Sequence, residues 1–212
     1  MSESKGTVFT NKHFNPLDQK QPTSDPAAIS VPVQVPVRSR ILSMLARTEY
    51  RRLQPSLEQV ALHANAVLYA PGDVVRHIYF PNDAVVSLLF DVDKRRTVEV
   101  AMEGNEGAVG LAVYLGGMTS CNLSVVRDSG TAMRMDVNAL TRCANQRGRL
   151  QELLHKSVHA LFTQIAQSGV CSQFHSVDAR LARWLLMSHD RVGSRDLRAT
   201  QESIARMLGV RR

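Results

Sequence analysis

Cysteine is scarce in this chain of 212 residues: Cys121, Cys143 and Cys171 stand far apart and are odd in number. That excludes a disulfide framework and fits a reducing cytoplasm. It also excludes an iron–sulfur cluster, which needs about four clustered thiolates. Long apolar runs are missing too. No stretch reaches the roughly 18 residues of a membrane span, and the N-terminus lacks the apolar core of a signal peptide. A cytoplasmic protein with no membrane partner is expected. Catalytic signatures are absent as well: there is no G-x-S-x-G, no P-loop and no strand–GxGxxG–helix unit. Glu103 and Glu106 stand close together, but the surrounding glycines predict a solvated turn rather than an acid/base pair. His155 and His159 have the i, i+4 spacing that could share a metal, yet no third ligand is evident. No catalytic residue and no metal site are expected, and no cofactor is named.

What is present is positive charge and a change of period. The net charge is +7, and from Gln173 to Arg212 eight Lys/Arg stand against four Asp/Glu, so +4 of it lies in the last forty residues. A basic C-terminal end is the footprint of a polyanionic partner such as DNA. Five of the eight prolines fall before Arg38, where the composition is polar, so residues 1–38 read as a disordered tail. Val31 to Val37 alternates apolar residues, but its prolines lack the donors of a central strand.

From Arg40 to about Gln59 the pattern predicts one or two short helices broken near Pro55. Short β-rich runs follow: Val67 to Tyr69, Ile78 to Phe80, Val85 to Phe90, Thr97 to Ala101, Leu123 to Val126 and Ala132 to Met135. Turn chemistry divides them, as at Pro71-Gly72-Asp73 and Pro81-Asn82-Asp83, which argues for a sandwich or barrel. After Asp136 the period becomes helical. Leu150, Leu154, Val158, Leu161 and Ile165 step by four, four, three and four, an a/d-type seam that predicts a helix pairing along its length. Packing of that helix on its own β-domain is the competing reading. Ser176 is placed to cap a further helix with Val177, Leu181, Trp184, Leu185 and Ser188 on one face.

The last fourteen residues, ATQESIARMLGVRR, form a helix-turn-helix start. Thr200 is a good N-cap, and Ile204, Ala205 and Leu208 share a face. Gly209 suits the left-handed residue that ends a helix. The pattern breaks off where the second, base-reading helix should begin.

In order and spacing, YAPGD (69–73), HIYFPNDAVVSLL (77–89), VEVAMEGNEGAVGLAVYLGG (98–117), RLARWLLMSHDRVG (180–193) and TQESIARMLGVRR (200–212) resemble the Crp/Fnr transcription regulators. The resemblance covers roughly the last two-thirds of the chain. It implies a mixed β and α fold: a cyclic-nucleotide-binding-like jelly roll over residues 39–145, a dimerisation helix over 146–172 and a partial winged helix-turn-helix over 173–212. It also implies an effector pocket about Gly107, Val109, Gly110, Leu111, Thr119 and Ser120, with DNA contacts from Thr200, Gln201, Arg211 and Arg212. The pocket departs from the family pattern at decisive places. Leu111 stands where a glutamate would accept from a ribose hydroxyl, and Thr119 to Asn122 offers no arginine for a phosphate.

These readings together predict a homodimeric DNA-binding regulator with an unidentified small-molecule effector, not an ordinary cyclic-AMP binder. Its half-sites would lie about one DNA turn apart. The alternative is a truncated dimeriser that lacks the recognition helix, does not bind DNA itself and modulates a full-length relative. On either reading the 212 residues alone are expected to give no operator-specific gel shift.

Overall fold

The computed structural model describes residues 28–30, 37–93, 96–144, 148–193 and 201–208. Its strands are β1 (Ala28–Ser30), β2 (Leu57–Leu62), β3 (Val67–Tyr69), β4 (His77–Pro81), β5 (Val85–Asp93), β6 (Arg96–Glu103), β7 (Leu123–Asp128) and β8 (Gly130–Asp136). Its helices are α1 (Arg40–Ser43), α2 (Arg47–Leu53), α3 (Val137–Ala144), α4 (Arg149–Phe174), α5 (Val177–Val192) and α6 (Gln201–Leu208). The strands form two four-stranded antiparallel sheets, ordered β1-β2-β8-β4 and β3-β7-β5-β6.

Strand alternation sorts the core into layers. On β4, Tyr79 points between the sheets with Val60, Leu62, Val86, Val126 and Ala132. Its neighbours Ile78 and Phe80 point the other way, under the helices, with Met133, Met135, Leu140, Leu150 and Leu154. The β-sandwich with a helical C-terminal region is thus the architecture the strand spacing predicts.

Turn and cap chemistry fixes the joints. Buried Asn82 accepts from the backbone N–H of Arg38 at 3.0 Å and donates to Thr131 Oγ1 at 3.2 Å, tying the entry of the domain to β8. Asp136 ends β8 and caps α3, accepting from Asn138 N at 2.8 Å and Ala139 N at 3.2 Å. Glu49 of α2 caps α4 across the fold, accepting from Leu150 N at 2.9 Å. Ser176 caps α5 as predicted, accepting from Ala179 N.

Three expectations are corrected. Ala28–Ser30, placed in the tail, pairs antiparallel with β2, because the edge of β2 offers free backbone groups that an extended segment can satisfy. The predicted second helix ends at Leu53, and after a 3-10 turn over Gln54–Ser56 the chain becomes strand β2 from Leu57. Pro55 ends the helix, and pairing with β8 then outweighs the helical pattern downstream.

The third correction concerns α4. Leu150 and Leu154 are 1 % and 0 % exposed inside their own domain, and Val158 and Leu161 pack partly against the same cores. Of the predicted pairing seam only Ile165, 40 % exposed, faces solvent. Helical spacing reports an apolar face without saying what covers it, and here the β-domain covers its first half.

Gly110 opens a 3-10 turn over Leu111–Leu115 at φ +96°, and a Cβ there would stand 2.9 Å from the His77 carbonyl. Gly110→Ala therefore combines left-handed strain with a backbone clash and is expected to lower stability by about 1–3 kcal/mol. Urea unfolding measures this; an unchanged midpoint would contradict the close packing of this turn on β4.

Candidate functional site at the junction of β6, α4 and α5

Strand β6 is an edge strand, and an edge leaves backbone groups unpaired. Gln164 of α4 closes it: its Oε1 accepts from Met102 N at 2.9 Å and its Nε2 donates to Met102 O at 3.1 Å. The side-chain amide thus takes the place of a neighbouring strand. This contact was not legible in the sequence, where Gln164 is one polar residue among many on a long helix.

Helix α5 packs beside it. Trp184, 7 % exposed, joins Val85 and Met102 in a small core completed by Leu181, Met187, Val192 and Ile204. Its indole N–H donates to Glu99 Oε1 at 2.9 Å. Arg127 lies 5.1 Å over the same ring, donates to Ser188 Oγ at 2.9 Å and pairs with Asp128 at 2.8 Å. Arg191 pairs with Glu106 at 2.6 Å. On α5 the buried face is therefore Leu181, Trp184 and Ser188; Val177 and Leu185 stay exposed. Arg180 donates to the carbonyl of Leu208, holding α6 to α5. In α6 Leu208 is buried and Gln201 exposed; Thr200, Arg211 and Arg212 lie outside the described residues.

Where β6 ends, the turn, α4 and α5 enclose an open cleft of about 520 Å³. Glu103, Glu106, Ser157, His159, Gln167 and Arg191 are among its lining residues. Burial pushes the Glu103 carboxyl well above its ordinary range; the neighbouring Glu106 charge adds to this and Arg191 opposes it. Burial also raises Glu99, against the hydrogen bond from Ser87, the Arg127 charge and the Trp184 hydrogen bond.

Of the six predicted effector-pocket residues only Gly107 lines this cleft. Val109 and Leu111 are 1 % and 3 % exposed, so their side chains are core, not pocket wall. Val109 exchanges backbone hydrogen bonds with Tyr79 at 2.8 and 3.0 Å, and Gly110 is pressed against His77. Ser120 donates its hydroxyl to Asn122 O, and Thr119 bridges to Val74. The backbone amides of Val109 and Ser120 bond to their own chain, to the carbonyls of Tyr79 and Asp73. Arg127, the first cation after the glycine-rich stretch, is turned to α5. His155 is engaged with Tyr114, 3.0 Å from its hydroxyl, while His159 faces the cleft. The predicted solvated Glu103–Glu106 turn is corrected for Glu103, which is 4 % exposed.

Comparison of the sequence with protein-family models and with curated proteins gives no match. Comparison of the structure does. The c-di-GMP-responsive global regulator CLP of Xanthomonas campestris superposes with a TM-score of 0.66 at 15 % identity, covering 78 % of this chain and 86 % of that one. FixK2 from Bradyrhizobium japonicum follows with 0.64 at 13 % identity, covering 73 % and 78 %. A protein from Eubacterium rectale assigned to the Crp/Fnr family of transcriptional regulators gives 0.63 at 12 %, covering 81 % of each chain. The first and third of these are described as regulators. At such identities the likeness speaks for the fold alone: the chain shares with these proteins a β-sandwich followed by a helical C-terminal region.

Proposed function

We propose that this protein is a Crp/Fnr-type transcription regulator that pairs through α4 and meets DNA through its basic α5–α6 region. The carrying observation is that α5 and α6 dock on β6, the strand whose end forms the cleft. A change in that cleft thereby has a short path to the DNA-binding end. Pairing is supported by the outer face of α4, where Phe162, Ile165 and Val170 are 70 %, 40 % and 49 % exposed beside exposed Ala166 and Gly169. Apolar side chains at such spacing, with small residues between them, suit a second helix packed closely.

The effector is not an ordinary cyclic nucleotide. Leu111 takes the place of the ribose acceptor, and Arg127 is committed to Asp128, Ser188 and Trp184. Calorimetry with cyclic AMP and cyclic GMP is expected to show no micromolar binding; binding of either would overturn this part of the reading. The DNA-binding part is tested by the protein's occupancy of the chromosome.

A further inference from the structure

The junction cleft contains a buried carboxylate that pairs with no described residue. Glu103 is 4 % exposed, lines the cleft, and makes no hydrogen bond through its carboxylate to another described residue. Arg191, whose charge acts on Glu103, is engaged with Glu106. Gly107 makes room for this carboxylate: a Cβ at that position would fall 1.6 Å from Glu103 Oε2. A second orphan lies on the α4 wall. Ser157 is 8 % exposed, lines the same cleft, and its Oγ is buried without a partner. Unpaired buried polar groups cost stability, so two of them lining one cleft point to a missing partner rather than to chance.

We propose that this cleft binds a small organic cation, an amine or guanidinium compound, whose N–H groups pair with the Glu103 carboxylate and the Ser157 hydroxyl. Glu103 and Glu106 offset Arg183 and Arg191 in the lining, and an anion would leave the Glu103 carboxylate without a partner. A purely apolar ligand would leave Glu103 unpaired. A hard metal ion would need about six oxygen ligands, and Glu106 is already held by Arg191. An ammonium or guanidinium group brings several charge-assisted donors and suits both orphans. That the ligand acts as an effector rests on the regulator reading; that it binds does not.

The pH dependence has a definite sign. The titratable and charged groups lining the space about Glu103 are Glu106 from its own turn, His159 from α4, and Arg183 and Arg191 from α5. The cation needs Glu103 ionised, so affinity rises with pH. Glu103 has its pKa raised on folding, so it binds its proton more tightly folded than unfolded. The free protein is therefore destabilised as pH climbs from the ordinary carboxylate range through the raised value, and is relieved of this below that range.

Thermal-shift titration and calorimetry of the full chain with agmatine, putrescine and guanidinium chloride test the proposal. At least one probe is expected to bind and raise Tm, more tightly at pH 8 than at pH 6. Glu103→Gln should weaken that binding by roughly tenfold or more, while raising the Tm of the free protein at pH 8. The higher Tm separates lost binding from lost folding. No binding by any of the three at millimolar concentration, or binding that Glu103→Gln leaves unchanged, would overturn it. A failure to occupy DNA would count against the regulator reading and leave the binding result standing.

Discussion

Leu154→Asp is expected to unfold the protein, whereas Phe162→Asp is expected to leave it folded and split the proposed dimer. Both positions are apolar and on one helix, eight residues apart, and a seam read from the sequence assigns the pairing role to the first. Burial reverses that assignment. Leu154 is fully buried against β4, β8 and α3, and a carboxylate there loses the leucine's packing and strands a charge. Large-to-small changes at such sites cost up to about 5 kcal/mol before the charge is counted. That is comparable with the whole stability of a small domain, about 5–15 kcal/mol. Phe162 is 70 % exposed, so its loss costs the protomer within about 0.5 kcal/mol. Across a two-fold interface each substitution acts twice. A loss of about 2 kcal/mol per side, usual for a central aromatic, weakens the dimer roughly a thousandfold. Circular dichroism and sedimentation equilibrium read the two effects separately. A folded, monomeric Leu154→Asp, or a Phe162→Asp that stays dimeric, would contradict the assignment.

Trp184→Ala is the second change with a large expected effect. The indole fills the small core between β5, β6 and α5, lies under Arg127 and supplies a hydrogen bond to buried Glu99. Truncation of such a side chain costs about 3–5 kcal/mol, and it removes the indole donor from Glu99 in a place where burial already opposes its charge. The cost falls on the docking of α5 and α6 rather than on the sandwich, whose core lies elsewhere. Hydrogen exchange is expected to speed up along α5, α6 and β6 while β4 and β8 keep their protection. Trp184→Phe keeps the ring but not the N–H, and is expected to lose only about 1–3 kcal/mol. Uniform loss of protection across both sheets would show that α5 is part of the main core and not a docked element.

The contrast between Leu154 and Phe162 marks where sequence reasoning holds. Alternation, turn residues and caps are local, so strands β3 to β8, the Asn82 turn and the Ser176 cap were legible. What covers an apolar face depends on residues far along the chain, and β6 closes over α4 and α5 from some sixty to eighty-five residues away. For the same reason nothing local showed what Arg127 would meet. Its partners Ser188 and Trp184 could be found only in three dimensions. At the glycine-rich turn, Leu111 signalled the loss of a ribose acceptor, but nothing local signalled that Val109 would pair with Tyr79. Glu103 gave the weakest signal. A glutamate between glycines reads as solvent-facing until the helices that bury it are in place.

The regulator reading is tested most directly by mapping the chromosomal occupancy of the tagged protein in its own cells. The account predicts discrete, reproducible peaks that share an inverted repeat with half-sites about one DNA turn apart. Expressed protein with no peaks above an untagged control would contradict it.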